Sequence, residues 1–294
     1  MIKFALSCCS TADLTKEYLA QRDIHYVCFH YELNGQHYLD DFGQTIPMSQ
    51  FYQAMRQGAL TRTSQVNVQE YTEHFRRLLD SGNDILHLTL SSGISGTLNS
   101  ARIAADTLRD EYPGRTIVII DSLGASSGYG LLLDKLADLR DEGKTLEETR
   151  QWAEENRLKM HHWFISTDLS AYVRGGRISK AAGLIGNALS ICPLMDMDAA
   201  GKLRIVSKVR TRKKAFREIV QQMQQHAQNG ADYEQKCFIC HSDCFSDART
   251  IADLVEQTFP RLAAPVQIFD VGTTIGSHTG AGTIALFFWG DPRS

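Results

Sequence analysis

The sequence of 294 residues predicts an α/β protein with two domains. As far as about residue 158, short Ile- and Leu-rich runs alternate with segments of helical periodicity, which indicates a mainly parallel sheet covered by helices. Beyond that point about six strand-like runs, some joined by hairpin signals, indicate an α+β arrangement with a mixed sheet. We therefore predict an N-terminal α/β domain over residues 1–158 and a C-terminal α+β domain over 159–294.

In the N-terminal half, turn and capping signals separate the elements. Asn34-Gly35 is a hairpin dipeptide, and Asn67 and Thr145 each stand three residues before a glutamate, as in a capping box. Ser10 or Thr11 is the candidate cap of the first helix. These signals predict strands over residues 2–6, 24–31, 36–39, 84–90 and 116–120, helices that end near residues 22, 57, 80, 108, 142 and 159, and a hydroxyl-rich loop over 61–65.

In the C-terminal half, the same reading gives more strands than helices. Residues 198–202 carry a hairpin signature between two strand-like runs. The predicted strands cover residues 162–167, 192–197, 203–209, 236–241, 266–270 and 283–289, and the predicted helices cover 169–174, 179–189, 212–229 and 246–259.

Composition excludes several classes of protein. The net charge of -3 gives no reason to expect a nucleic-acid partner or an anionic membrane surface. No apolar run approaches the roughly 20 residues that span a bilayer. The apolar stretch before Cys8 is shorter than the roughly 7 residues that a signal peptide needs, so we expect a cytoplasmic protein. Its seven cysteines, an odd count, favour reduced thiols over a disulfide framework.

The most informative stretch is the polar turn of residues 91–97, Ser-Ser-Gly-Ile-Ser-Gly-Thr, which follows a predicted strand and precedes a predicted helix. Ser95 lies near the expected N-cap, where free amides and the positive end of the helix favour an anion. The turn has no phosphate-loop lysine and no dinucleotide motif. Neutral donors of this kind suit a small monoanion such as one carboxylate, although Ser95 could simply cap the helix.

Two other segments have a similar composition. Thr63 and Ser64 belong to the predicted loop over 61–65, and His278 belongs to a glycine-rich loop over 272–282. Four glycines in that loop permit a close approach of the backbone to a ligand, and His278 could donate to an anion or move a proton. The alternative is an ordinary turn between two strands that His278 holds together.

Three further patterns have ordinary structural explanations. Residues 237–241 match C-x-x-C-H, but Cys237 and Cys240 fall on opposite faces of a strand, so a core strand is favoured over haem or zinc. Ser95, Asp121 and His278 follow the order of an α/β-hydrolase triad without its G-x-S-x-G elbow. The basic run 210–214 is a solvated helix face, or else a contact for an acidic partner. We expect no metal and no cofactor.

The chain resembles the DegV family, whose members look like bacterial fatty-acid-binding proteins. The resemblance rests on five motifs in family order, which together span most of the chain: residues 63–65 (TSQ), 91–97 (SSGISGT), 175–179 (GGRIS), 201–203 (GKL) and 275–280 (IGSHTG).

The resemblance implies that a long-chain fatty acid binds between the two domains. It implies that Thr63 and Ser95 hydrogen-bond the carboxylate, with Ser64, Gly96 and His278 nearby. It also implies that a separate kinase, which holds the ATP, phosphorylates the bound acid, and that Arg174 is linked to that step. The chain departs from the family at Cys8-Cys9-Ser10, usually Thr-Asp-Ser, and at Ile191-Cys192-Pro193, often Ile-Lys-Pro, so a charge is missing at each position.

We therefore expect a carrier without catalytic chemistry of its own; the alternative is a hydrolase or acyl-transferring enzyme that uses Ser95. Burying about 15 methylenes at roughly 0.8 kcal/mol each would outweigh one carboxylate contact, so the apolar slot should set affinity and the hydroxyls orientation. The candidate slot residues are Leu184, Ile185, Leu189 and the surroundings of Phe287.

Overall fold

A computed structural model describes residues 4–179 and 191–294. Its first sheet contains four parallel strands in the order β2-β1-β6-β7 and confirms the parallel N-terminal sheet that the sequence predicts. The strands are β1 (Phe4–Cys9), β2 (Ile24–Val27), β6 (Asp84–Thr89) and β7 (Ile117–Asp121). β1 and β6 are almost wholly buried, as expected for central strands with helices on their faces.

A second sheet was predicted only in part, because its hairpin was expected and its third strand was not. Its three antiparallel strands are ordered β4-β3-β5: β3 (His30–Leu33), β4 (Gln36–Leu39) and β5 (Thr61–Ser64). The predicted hairpin turn joins β3 to β4, with positive φ at both Asn34 (51°) and Gly35 (84°). The predicted loop over 61–65 is wrong, because Thr61–Ser64 pairs with β3. The predicted strand over 24–31 divides between β2 and β3.

The third sheet has six strands and is mixed, as predicted. Its order is β10-β9-β8-β13-β11-β12, and among these only β11 and β12 pair in parallel. The strands are β8 (Met160–Ile165), β9 (Ile191–Met197), β10 (Leu203–Arg210), β11 (Phe238–His241), β12 (Gln267–Asp270) and β13 (Ile284–Trp289).

The described helices largely follow their predicted periodicity, whereas the predicted helix over 179–189 lies outside the described residues from residue 180 onward. The capping boxes at Asn67 and Thr145 are both present. The first helix begins later than expected: residues 10–12 form a 3₁₀ turn, and Thr15, not Ser10 or Thr11, accepts the N–H of Tyr18 as its cap. The described helices are α1 (Lys16–Gln21), α2 (Met48–Arg56), α3 (Val68–Asp80), α4 (Thr97–Arg109), α5 (Ser126–Asp141), α6 (Leu146–Asn156), α7 (Ser170–Arg174), α8 (Arg212–His226), α9 (Phe245–Thr258) and α10 (Thr273–Thr279).

Helix α5 connects the two larger sheets, because it packs against β1 of one and against β8, β11 and β13 of the other. It is buried along most of its length, and its glycines allow close contact: a Cβ at Gly128 would lie 2.3 Å from Nε2 of His162. The predicted boundary near residue 158 falls in the short 3₁₀ turn Arg157–Lys159, between α6 and β8. Within the described ranges, each helix is too short or too polar to cross a membrane.

Candidate functional site

A cavity of about 390 Å³ lies where the three sheets approach one another, and its walls are mainly apolar and aromatic. Ligand sites commonly have this character and volumes of roughly 300–1,000 Å³. Its lining comes from both halves of the chain. The apolar members include Phe29, Leu90, Ile94, Phe164, Tyr172, Met197, Leu203, Val271, Ile275, Ala285 and Phe287, and the polar members include Thr63, Ser64, Gln65, Ser95, Arg177 and His278.

One end of the cavity is formed by the turn of residues 91–97, here called the cradle turn. It joins β6 to α4, and Ser95 and Gly96 line the cavity at the N-terminus of that helix. Gly96 is the N-cap and has no side chain to accept an amide, while Ser95 Oγ accepts the N–H of Thr97 at 3.3 Å. The positive end of α4 therefore faces the cavity beside a hydroxyl group.

The hairpin turn between β9 and β10 holds the cradle turn in place. Ser91 Oγ donates to the carbonyl of Gly201 at 2.8 Å. A Cβ at Gly93 would lie 2.5 Å from the carbonyl oxygen of Ala200, and one at Gly201 would lie 2.0 Å from Ser91 Oγ. Both glycines are required because two backbone turns touch at this point.

Thr63 and His278 meet at the same cavity, although 215 residues separate them: Oγ1 of Thr63 and Nε2 of His278 are 2.7 Å apart. Thr63 lies on β5. His278 lies on α10, so the predicted glycine-rich loop over 272–282 is wrong in its first part. Gly272 and Gly280 delimit this helix and only Gly276 lies inside it, where a Cβ would be 2.4 Å from the hydroxyl of Tyr52.

The imidazole of His278 is neutral. Burial, with a smaller contribution from the Arg177 cation, lowers the pKa of His278 to about 4. Its Nδ1 is buried without a hydrogen-bond partner, and a Cβ at Gly175 would lie 2.2 Å from it. In the tautomer with its hydrogen on Nε2, the imidazole donates to Thr63 Oγ1 and Nδ1 carries only a lone pair. The hydroxyl hydrogen of Thr63 is then free for another acceptor.

Arg177 also lines the cavity, and it was not among the site residues predicted from the sequence. It belongs to the 175–179 motif, but only neutral donors were expected at the cavity. Its guanidinium donates to the carbonyl of Ile94 from Nε (3.2 Å) and Nη2 (2.8 Å), and to that of Gly175 from Nη1. Arg177 thus fixes the cradle turn through Ile94 and brings a positive charge to the lining. Its position as the charged residue of the Gly175-Gly176-Arg177 motif was the signal in the sequence that could have identified it.

The structure brings five of the six predicted site residues to one cavity: Thr63, Ser64, Ser95, Gly96 and His278. Their role in holding a carboxylate stays a prediction. Arg174 is exposed at the end of α7 and does not line the cavity. Phe287 lines it, as expected, whereas Leu184, Ile185 and Leu189 lie outside the described residues.

The residues of the hydrolase alternative do not form a Ser-His-Asp hydrogen-bond chain in the described structure. The hydrogen bond of His278 goes to Thr63. Asp121 Oδ1 instead accepts the N–H groups of Ser92 (3.1 Å) and Leu123 (3.0 Å). The contacts that prepare a serine nucleophile and orient its base are therefore not assembled around Ser95.

The C-x-x-C-H segment is part of the core. Cys237 and Cys240 are buried, and Sγ of Cys240 lies 3.2 Å from Ser126 Oγ. Across residues 4–179 and 191–294, no group of three His, Cys, Asp or Glu side chains is placed to hold a metal ion. In the basic run, Arg212 pairs with Asp247 at 2.6 Å.

A family model described as "Uncharacterised protein, DegV family" matches residues 3–291. A DegV domain-containing protein of Clostridium perfringens is 38% identical over 293 residues, which are 100% of this chain and 99% of that protein. Another, from Lactococcus lactis, is 33% identical over 278 residues, which are 95% of this chain and 94% of that protein.

Several solved structures of similar proteins share this fold over nearly the whole chain. A fatty-acid-binding DegV family protein of Thermus thermophilus has a TM-score of 0.87 and 26% identity, over 98% of this chain and 100% of that one. DegV of Bacillus subtilis, a fatty acid binding protein, has a TM-score of 0.82 and 25% identity, over 99% and 100%. The Fatty Acid Kinase B3 protein of Streptococcus pneumoniae, loaded with linoleic acid, has a TM-score of 0.85 over 99% and 100%, and at 20% identity this likeness shows a shared fold.

Proposed function

The chain belongs to the DegV family, and on this premise we propose that its cavity binds one long-chain fatty acid. The carboxylate contacts Thr63 and Ser95, with Ser64, Gly96 and His278 beside it, and the alkyl chain occupies the apolar part of the cavity. The cavity is the proposed cleft between residues 1–158 and 159–294, since both halves supply its lining. The fatty acids bound by the Thermus and Bacillus proteins support this choice of ligand.

The observation that carries the proposal is the meeting of hydroxyl groups and apolar walls in one cavity. Thr63, Ser95 and His278 come from three distant segments and line the same space as Phe29, Phe164 and Phe287. An ionised carboxylate taken out of water needs several donors at once. An alkyl chain needs an apolar enclosure, which contributes roughly 0.8 kcal/mol for each buried methylene.

His278 acts on the carboxylate through Thr63. With its hydrogen on Nε2, the neutral imidazole donates to Thr63 Oγ1, and Thr63 in turn donates its hydroxyl hydrogen to the ligand. Such a chain of hydrogen bonds strengthens the terminal donor. The positive end of α4 and the guanidinium of Arg177 add a favourable potential for a single negative charge.

The carboxylate end of the ligand lies near solvent, because Ser64 and Gly96 are exposed although they line the cavity. We propose that the protein is a carrier which presents this end to a separate kinase for phosphorylation. Arg174 is suited to contact such a partner, since it is exposed on α7 and α7 packs against α10, which carries His278. The carrier itself performs no catalysis in this proposal.

Binding is tested by mass spectrometry of the purified protein after solvent extraction, and by titration of delipidated protein with oleic acid. We expect one fatty acid per chain. Ser95→Ala and Thr63→Val should each weaken binding about tenfold, because each removes one hydrogen bond to a charged group. Thr107→Val, on the exposed face of α4, is the matched control. Delipidated wild-type protein that fails to bind oleic acid would refute the proposal.

The carrier role has a separate test. Arg174→Ala should leave oleic acid affinity within about twofold of wild type and lower acyl phosphate formation by a fatty-acid kinase on the order of tenfold. Arg261→Ala, an exposed arginine elsewhere, is its control. Turnover of a p-nitrophenyl ester that disappears in Ser95→Ala would instead identify a serine enzyme.

A further inference from the structure

Asp40 is a buried carboxylate that no part of the proposed binding scheme uses. It follows β4 directly and is 1% exposed. Oδ1 accepts from Oγ1 (2.8 Å) and N (3.3 Å) of Thr273, and Oδ2 accepts from N of Thr274 (3.3 Å) and Oγ of Ser10 (3.2 Å). These four donors satisfy both carboxylate oxygens.

Three of these donors belong to the first turn of α10. The N-cap of that helix is Gly272, which has no side chain to accept the free amides. Asp40 therefore serves as the cap from a segment more than 230 residues earlier in the chain, and its negative charge lies at the positive end of the helix. A Cβ at Gly272 would lie 2.6 Å from Asp13 Oδ1 and 3.3 Å from Asp40 Oδ1, so a glycine is needed for this approach.

The amides of Thr273 and Thr274 donate to Asp40 and not to its neighbour Asp13. Burial and the charge of Asp40 raise the pKa of Asp13 well above its usual range. Burial also raises the pKa of Asp40, but its hydrogen-bond donors oppose that shift. Within the described residues, neither carboxylate has an ion pair with Lys, Arg or His. Hydrogen bonds alone therefore hold Asp40.

Asp40 also contacts the segment that carries Phe29, another residue of the cavity lining. Its N–H donates to the carbonyl of Phe29 at 2.8 Å, and Ser10 Oγ, which donates to Asp40, accepts the N–H of Phe29 at 3.1 Å. Phe29 lines the cavity, as do Thr274, Ile275, His278 and Thr279 of α10. Asp40 itself does not line it.

We propose that Asp40 is a positioning residue, which sets the placement of α10 and Phe29 and thereby the position of His278 beside Thr63. The role rests on the proposed fatty-acid site for its consequence, but its structural part does not depend on any ligand. A displacement of α10 by about 1 Å breaks the 2.7 Å contact between Thr63 and His278, which is the contact that directs the Thr63 hydroxyl toward the cavity.

The test uses Asp40→Asn and Thr273→Val in the full chain, with Asp41→Asn as the matched control. An asparagine NH2 group replaces one of the two oxygens, so it faces the donors of Thr273 at Oδ1 or those of Ser10 and Thr274 at Oδ2. Among the residues that the structure describes, the side chain of Asp41 accepts only from Gln44 and Thr45, within its own loop. We expect Asp40→Asn to shift the ¹⁵N-imidazole signals of His278, assigned by comparison with His278→Asn, and to weaken oleic acid binding about tenfold, with a smaller effect for Thr273→Val.

Two results would overturn the inference. One is unchanged His278 signals in both variants, or changes no larger than those of Asp41→Asn. The other is a loss of thermal stability with unchanged oleic acid affinity, which would make Asp40 merely structural. Should Asp40→Asn not fold, Thr273→Val decides between the same outcomes. If the wild-type protein binds no fatty acid, the proposed function fails and the His278 signals alone decide the positioning role.

Discussion

At the scale of single residues, the imidazole of His278 is held in place by contacts at both of its ring nitrogens. Thr63 lies at Nε2, and the backbone of Gly175 lies against Nδ1, where a Cβ would be 2.2 Å away. The φ of Gly175 is -75°, so its backbone needs no glycine. Glycine is needed at position 175 because the Cβ of any other residue would occupy the space of the His278 imidazole.

Replacing Gly175 with alanine should displace His278 and weaken fatty-acid binding. We expect Gly175→Ala to reduce oleic acid affinity at least about tenfold, as measured by calorimetric titration, because the imidazole leaves Thr63. Gly114→Ala is the control, since a Cβ at Gly114 meets no atom within 4 Å. Equal affinities for the two variants would contradict the assigned role of His278.

Residue types at the cavity could be predicted from the sequence, but their contacts could not. Hydroxyl and glycine composition singled out three segments, and the family resemblance then selected Thr63, Ser95 and His278 within them. Arg177 was missed because its importance depends on the carbonyl of Ile94, 83 residues away, which no local pattern reveals. The Asp40 cap was missed for the same reason.

At the scale of elements, local signals succeeded where the element is stabilised locally. The capping boxes at Asn67 and Thr145 were predicted and confirmed. The predictions failed for β5 and α10, whose stability comes from distant partners: β5 pairs with β3, and α10 has its cap from Asp40. Hydroxyl and glycine composition indicated loops there because it reports local preference and not tertiary contacts.

Helices α1 and α5 are joined by a buried carboxylate, that of Asp134, which is 1% exposed. It accepts from Arg22 (2.7 Å), Lys236 (2.5 Å) and the hydroxyl of Tyr18 (2.6 Å). We expect Asp134→Ala to lower the free energy of unfolding by about 3 kcal/mol in urea titrations, because two cations lose their buried partner.

Asp138 offers a matched comparison on the same helix. It contacts the same two cations, at 2.7 Å and 3.8 Å, but its side chain is 31% exposed. Because water screens an exposed pair, Asp138→Ala should cost less than about 1 kcal/mol. Similar losses in the two variants would show that burial does not set the strength of this cluster.

At the scale of the whole molecule, the described structure contains six histidines whose pKa is lowered, mainly by burial. Values are about 3 for His74 and about 4 for His161 and His278, and the pKa values of His87, His162 and His241 are also lowered. In the unfolded chain these groups bind protons from about pH 6.5 downward. Acid should therefore favour the unfolded state.

We expect the free energy of unfolding to fall as the pH decreases from about 6.5 to about 4. Each histidine that stays neutral contributes about 1.4 kcal/mol per pH unit. Asp13, Asp40 and Asp270, whose folded pKa values are raised, act in the opposite direction but are fewer. Urea titrations at pH 7, 6 and 5 measure how the free energy of unfolding depends on pH. His278→Asn should reduce the number of protons taken up on unfolding by about one, which lowers this slope. A midpoint that is constant or rises toward pH 5 would contradict the prediction.

The close approach of two turns, at Gly93 and Gly201, has a consequence for exchanging parts between relatives. A graft that replaces residues 159–294 with those of a homologue brings in a new β9–β10 hairpin, which must fit against the native cradle turn at backbone distance. Such a hybrid should keep its headgroup site only when the donor hairpin carries glycine at position 201 and the same loop length. Compatibility between the halves therefore depends on this backbone contact as well as on the contacts that α5 and α10 make across them.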